Sequence, residues 1–200
     1  MSKRKRRAYH HGNLSNKLVA AGVLLVESAG VQALSLRKLA ARIRVSAAAV
    51  YRHFANKNAL LAAIAAEGFA MLNDRFDAAT LAPEVRDPLS RLRALGSVYV
   101  NLALEHPGLF RLMFGPRQSS GARDARLDEQ ARRAYHTLET AVAACFGGSA
   151  NRATVAATTV AAWSMVHGYA MLRLENQLAG FPPDSLPDTP AILSNLIPQA

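Results

Sequence analysis

Residues 35–61, SLRKLAARIRVSAAAVYRHFANKNALL, leave little freedom in what this part of the chain becomes. Ser35 is an N-cap residue type, and Leu36, Leu39, Ala40 and Ile43 repeat with helical period behind it. Arg44 and Val45 break that period, and Ser46 offers a second N-cap for a helix from Ala47 to Phe54. Two short helices at a tight turn predict a helix-turn-helix, whose second helix enters the major groove while basic and hydroxyl side chains at its edges hold phosphates. Ser35, Arg37, Lys38, Arg42, Arg44, Ser46, Tyr51, Arg52, His53 and Lys57 stand where such contacts are made. Ala47, Ala48 and Ala49 have no side-chain hydrogen-bonding group, so they offer only apolar contact, for example to thymine methyls. Arg37 and Arg52 are then left to supply much of any polar reading of bases. Val50 and Phe54 suit burial, but packing gives no reason for Tyr51, Arg52, His53 and Lys57 to cluster.

The order V-S-x-x-x-x-Y-x-H-F-x-x-K-x-x-L, carried by Val45, Ser46, Tyr51, His53, Phe54, Lys57 and Leu60, resembles the DNA-binding domain of TetR-family transcriptional regulators. The resemblance begins near Tyr9 and covers about seventy residues, to the end of the following helix. Two positions depart from the family pattern. Arg44 stands where the turn usually carries Gly, which predicts a non-glycine residue in the left-handed region at a cost of about 1 to 2 kcal/mol. Ala48 replaces the Gly or Pro common early in the second helix.

Charge points to the same partner independently. Residues 1–57 hold 12 Lys and Arg against the single acid Glu27, a net of +11, whereas residues 58–200 hold 12 basic and 13 acidic residues, a net of −1. An asymmetry of this kind marks one domain for a polyanion. Double-stranded DNA is the expected partner. RNA is a distant second, because RNA modules commonly expose aromatics on a sheet and no segment here reads as a strand.

The rest of the chain is a succession of helices separated by breakers. Leu14, Leu18, Ala21, Leu25 and Val26 form one helical face between Asn13 as N-cap and Gly30 as C-cap. Asn56 caps a helix from Lys57 to about Ala79; Leu89 to Glu105 carry an apolar stripe; Pro107 opens a short helix closed by Gly115 and Pro116. Helices at about Asp124 to Phe146 and Asn151 to Ala179 follow, and a brief one lies near Ala191 to Leu196. The expected fold is all-α, an N-terminal helix-turn-helix DNA-binding domain plus a C-terminal helical ligand-binding and dimerisation domain. The expected boundaries are 1–57 for the basic arm and helix-turn-helix, 58–80 for a connecting helix, and 81–200 for the C-terminal domain.

A second resemblance lies in that C-terminal domain. Trp163, His167 and Gly168, in AAWSMVHGYAML, look like the W-x-x-x-H-G signature of one class of TetR-family ligand-binding domains, and HPGLFRLMF, residues 106–114, is similar to the short helix that accompanies it. The resemblance implies an all-helical dimer whose last two long helices form a four-helix bundle with the partner, around an inducer pocket. Tyr99, Leu102, Phe110, Met113, Phe114, Trp163 and His167 are the candidate ligand contacts. Trp163 and His167 are four apart on one face, so they either line a pocket or are core residues with satisfied polar atoms. On the same helix, Trp163, Val166, His167 and Ala170 form a face expected to meet the pocket. Val155, Thr159, Ala162, Met165, Tyr169 and Leu172 form a second face expected to meet a partner subunit.

Other chemistries find little support. Cys145 cannot form an internal disulfide, fits a reducing cytoplasm and suits helix packing. His10 and His11 diverge on a helix and have no further metal-ligand spacing around them; the run from Lys3 to Arg7 reads as a basic tail or a minor-groove arm. The charge-then-hydrophobe order of the first 26 residues imitates a secretory signal, but the polar HHGNLSNK interrupts it, Glu27 follows at once and no typical cleavage site appears. Residues 153–172 carry no formal charge, yet Thr154, Thr158, Thr159, Ser164, His167 and Gly168 dilute their hydrophobicity, so a helix buried on every side is expected rather than a membrane span. No nucleophile elbow, phosphate-cradling loop, zinc spacing or carboxylate pair is present, and neither cofactor nor metal is implied. The reading is a cytoplasmic, dimeric, non-enzymatic transcriptional regulator. It represses from a pseudo-palindromic operator and is released by a small hydrophobic effector. A constitutive or architectural DNA-binding protein without a ligand is the alternative, and a helical enzyme with a borrowed DNA-binding domain comes third.

Overall fold

The computed structural model describes residues 5–115, 124–182 and 186–194, with side chains from Leu14 onward. The described residues form helices only: α1 (Lys5–Ala33), α2 (Leu36–Arg42), α3 (Ala47–Tyr51), α4 (Lys57–Thr80), α5 (Pro88–Glu105), α6 (Pro107–Phe114), α7 (Ala125–Cys145), α8 (Arg152–Leu174) and α9 (Thr189–Ser194). They fall into two compact units, Met1–Gly68 with Gly108–Asp128, and Phe69–Pro107 with Glu129–Ala200, so the division runs through α4 and α7.

In the first unit the apolar stripes read from the sequence meet in one core. Leu18, Val26, Leu39, Val50, Leu60 and Ile64 are fully buried, and Leu34, Leu36, Ala40 and Phe54 nearly so. Each such aliphatic side chain contributes about 1.5 to 3 kcal/mol. By length and composition Leu14–Ala33 is apolar enough to cross a membrane, but Leu18, Val19 and Val26 on it belong to this core. Helix α1 starts by Lys5 rather than at Asn13, because Lys, Arg and Ala favour continuation and a cap residue alone does not stop a helix. It leaves helical geometry at Gly30, whose φ of 75° and ψ of 169° only glycine adopts readily.

The turn after α2 is built around Arg44, at φ 57°, as the departure from the family pattern predicts. Its N–H donates to the Ala41 carbonyl (3.2 Å) and the Val45 N–H to the Ala40 carbonyl (2.9 Å), the paired 5→2 and 6→1 bonds of a Schellman cap. Ser35 occupies the N-cap position of α2 without a side-chain cap bond, whereas the Ser46 hydroxyl accepts the Ala49 N–H at 3.2 Å. Helix α3 ends at Tyr51, three residues before the expected Phe54. The N–H groups of His53 and Phe54 both donate to the Val50 carbonyl, at 2.9 and 3.0 Å, which tightens the turn that brings Phe54 into the core.

In the second unit α5 begins with a capping box between Asp87 and Ser90, and Asn151 caps α8 through the Thr154 N–H at 2.9 Å. Helix α8 stops at Leu174, not Ala179. Asn176, at φ 55°, ends it in another Schellman cap, with the Asn176 N–H on the Arg173 carbonyl and the Gln177 N–H on the Leu172 carbonyl. Asparagine tolerates the left-handed region next best to glycine, so the chain does not wait for Gly180. The terminal helix lies at Thr189–Ser194, ahead of the expected Ala191 to Leu196, because Asp188 caps it through the Ala191 N–H at 2.8 Å; residues 195–200 lie outside the described residues.

The two expected faces of α8 are corrected. Thr159 and Ala162 of the supposed partner face are buried within the protomer, Ala162 at 1 % exposure, alongside Val166 and Ala170 of the supposed pocket face. The outward side carries Ala153, Ala157, Val160, Ser164 and Leu172. Periodicity finds apolar faces, but which one a neighbour covers is set by the angle at which α5 and α9 pack on α8.

Candidate DNA interface and candidate effector site

The residues buried in the helix-turn-helix are apolar, and His53 turns its Nε2 in with them. Val50 and Phe54 face inward, while Arg37, Lys38, Arg42, Arg44, Ser46, Ala48, Tyr51 and Arg52 are exposed and Ser35, Ala47, Ala49, His53 and Lys57 half-buried. Tyr51, a large aromatic residue left 47 % exposed, contributes little to the core. Lys57 opens α4, where Asn56 accepts the Ala59 N–H at 2.9 Å. The candidate arm from Lys3 to Arg7, and His10 with His11, lie outside the described side chains.

In the second unit Tyr99, Trp163 and His167 form a hydrogen-bonded chain. The Trp163 indole N–H donates to the Tyr99 hydroxyl at 3.1 Å, and that hydroxyl lies 2.8 Å from His167 Nδ1. An indole only donates, so the Tyr99 oxygen accepts from Trp163, while the direction of its bond with His167 Nδ1 is set by the imidazole tautomer. Burial lowers the His167 pKa from its usual 6.5, which favours the neutral ring. Burial also pushes the Tyr99 hydroxyl far above its usual value, against the bond from Trp163. Tyr135 meets Trp163 edge to face, with centroids 6.5 Å apart, and Trp163 remains 37 % exposed. Leu102 is fully buried in the same unit.

The other candidate ligand residues, Phe110, Met113 and Phe114, belong to the first unit, where α6 buries Leu109, Phe110 and Met113 and the Phe110 and Phe114 rings lie 4.8 Å apart. The start of α6 is held by Glu27, whose carboxylate accepts the N–H groups of Gly108 (3.1 Å) and Leu109 (3.0 Å). A Cβ on Gly108 would lie 2.6 Å from the Val26 carbonyl oxygen, so the approach requires glycine. Sequence reading counted Glu27 as the lone acid among basic residues and as a break after the apolar stretch; no spacing joins positions 81 residues apart.

Asn73 was also missed. It is 1 % exposed and donates its Nδ2 to the Gln130 carbonyl (3.0 Å) and Oε1 (2.9 Å), which fixes the amide orientation and leaves its own Oδ1 without a hydrogen-bond partner. A buried acceptor of that kind suits a ligand donor or an ordered water. Burial, with Asp87 adding, raises the Cys145 thiol pKa, which suits packing rather than nucleophilic work. Among the described residues no group of His, Cys, Asp and Glu is placed to hold a metal ion.

An all-helical chain with an N-terminal helix-turn-helix and a separate C-terminal helical unit is the architecture of a two-domain bacterial regulator. Residues 18–64 match the family model for bacterial regulatory proteins of the tetR family, and residues 92–189 match the tetracyclin repressor-like C-terminal domain. The chain belongs to the TetR family. A solved protein of unknown function from Rhodococcus sp. RHA1 is 30 % identical with a TM-score of 0.75, over 94 % of each chain. The tetracycline repressor protein class G of Vibrio anguillarum is 45 % identical over 58 residues, 29 % of this chain and 26 % of that protein. The nucleoid occlusion factor SlmA of Edwardsiella ictaluri is 33 % identical over 98 residues, 49 % of this chain and 48 % of that one. The similarity thus spans half or less of these two relatives' lengths.

Proposed function

We propose that the protein is a sequence-specific DNA-binding transcriptional regulator, a dimeric repressor released from a pseudo-palindromic operator by a small hydrophobic effector. The observation that carries this reading is the exposed set Arg37, Arg44, Tyr51 and Arg52 on a helix-turn-helix whose buried residues are apolar. In the dimer the recognition helices stand about 34 to 36 Å apart, matching successive major grooves. The effector site is built around Tyr99, Trp163 and His167, in keeping with the W-x-x-x-H-G resemblance, and the partner packs on α7 and α8. Residues 1–57 serve as the DNA-binding domain, 58–80 as the connecting helix and 81–200 as the effector and dimerisation domain; the protein works in the cytoplasm.

Release follows from population shift. An effector that favours the DNA-incompetent spacing about 10⁴-fold moves the protein from about 1:99 to 99:1. The test is binding to a labelled fragment of the DNA upstream of its own gene, by footprinting, followed by a screen of hydrophobic metabolites and drugs for release. A footprint lacking two half-sites would overturn the dimeric operator reading.

The alternative is a constitutive or architectural DNA-binding protein without a ligand; 98 residues of the chain are similar to a nucleoid occlusion factor. Operator affinity indifferent to every compound in the screen, with many sites across the genome, would favour it.

A further inference from the structure

We propose that the notch that Gly96 opens between α5 and α8 is a binding slot for an aliphatic chain, and that Leu193 of the protein's own α9 is its intramolecular occupant. A Cβ on Gly96 would lie 2.2 Å from Leu193 Cδ1 and 3.3 Å from Val166 Cγ1, so the isobutyl group fills the space that a side chain at position 96 would take. Leu193 is 1 % exposed, and Thr189, one turn earlier on α9, is buried beside it. The slot is thus apolar and sized for branched or linear alkyl groups.

The occupant is suited to leave. Helix α9 has six residues, far below the roughly 12 to 15 at which an isolated helix becomes even marginal, so its helicity depends on docking against α5 and α8. Ahead of it the Tyr169 hydroxyl donates to the Pro187 carbonyl at 2.9 Å, and Arg173 Nη1 donates to that hydroxyl at 3.2 Å. A short helix held by docking can open locally without global unfolding. Tyr99 follows Gly96 by one turn of α5, and His167 follows Val166 on α8, so an alkyl chain entering in place of Leu193 brings its head group toward the hydrogen-bonded trio. The ligand class is an amphiphile, an alkyl chain with a hydrogen-bonding head, in competition with α9. As an account of the effector, this rests on the regulator reading above.

Decanoate, with butyrate as the short-chain control, is the probe, applied to the full-length protein. Trp163 is the only tryptophan, so its fluorescence reports occupancy of the neighbouring site. Decanoate is expected to change that fluorescence saturably and to accelerate amide exchange across Thr189–Ser194, while slowing it around Gly96 and Tyr99. Leu193→Asp, which undocks α9, is expected to tighten decanoate binding about 10-fold if the docked form holds about nine-tenths of the population. Gly96→Ala paired with Leu193→Ala refills the slot and should lose the gain. Decanoate binding with unchanged or slower exchange in α9, or no binding to either full-length wild type or Leu193→Asp, would overturn the proposal. If that variant fails to fold, exchange on the wild-type protein decides alone. Displacement of α9 without release of operator DNA would uphold the slot and remove its effector role. An effector that releases DNA while α9 exchange stays unchanged would uphold the regulator reading and overturn the slot.

Discussion

Arg44 joins backbone strain to charge in one residue. Its left-handed conformation costs about 1 to 2 kcal/mol relative to glycine, which glycine's greater freedom in the unfolded chain offsets by about 0.5 to 1. Arg44→Gly should therefore stabilise the protein by up to about 1.5 kcal/mol in chemical denaturation. It should also weaken DNA binding and lower the salt slope by about one, since an exposed cation is lost. Weaker binding at an unchanged slope would show that Arg44 does not meet a phosphate. His167 makes the pH prediction. Its folded pKa lies below the usual 6.5, so the neutral form is favoured in the native state; its contribution is fully present above about pH 6.5 and lost as pH falls through the folded value. Denaturation midpoints measured from pH 8 to pH 5 should decline less steeply for His167→Gln than for the wild type, with Tyr99 the ionisable partner it faces.

At the scale of elements, the junction of α1 with α6 depends on one carboxylate. Glu27 supplies two helix N–H groups at the start of α6 with a charged acceptor, favourable both as hydrogen bonds and toward the helix dipole. Glu27→Ala should cost about 1 to 3 kcal/mol, read by urea denaturation, and Glu27→Gln should recover part of it because its amide oxygen still accepts. No loss in the alanine variant would mean that water caps α6 equally well. The faces of α8 give a paired expectation. Ala162→Glu places a carboxylate in the protomer's own core and should lower thermal stability by at least about 3 kcal/mol. Val160→Glu, at a position half exposed in the protomer, should leave that stability nearly unchanged and break the proposed dimer in sedimentation equilibrium. A dimeric Val160→Glu protein would place the partner contact elsewhere.

For the whole molecule, the charge asymmetry sets the behaviour toward DNA. With a net of +11 in residues 1–57 and −1 in the remainder, association should be steered and strongly salt dependent. If a dimer neutralises about 6 to 10 phosphates, affinity should fall about 10³ to 10⁵ between 50 and 200 mM salt. Fluorescence anisotropy across that range checks it, and a nearly flat slope would remove the basic segment as the DNA surface.

Local chemistry alone determined the helices and most of their ends, because caps, breakers and the 3.6-residue period act within a few residues of one another. Ser46, Asn56, Pro107 and Asn151 stand where they were read, and Arg44 takes the positive φ that its place in the turn required. The errors are of two kinds, helix ends and buried faces. Helix α8 ends at Asn176 rather than Gly180 because two residues compete for the cap, and Ala162 faces inward because packing, not periodicity, chooses between apolar faces. Trp163 and His167 were legible as a pair on one helix. That Tyr99, from another helix, links them, that Glu27 holds α6 and that Leu193 fills the notch at Gly96 was decided only by the tertiary structure. Those contacts join residues 64 to 97 positions apart, and no local spacing records which distant side chain will arrive to satisfy a buried hydroxyl, a helix N-terminus or a missing Cβ.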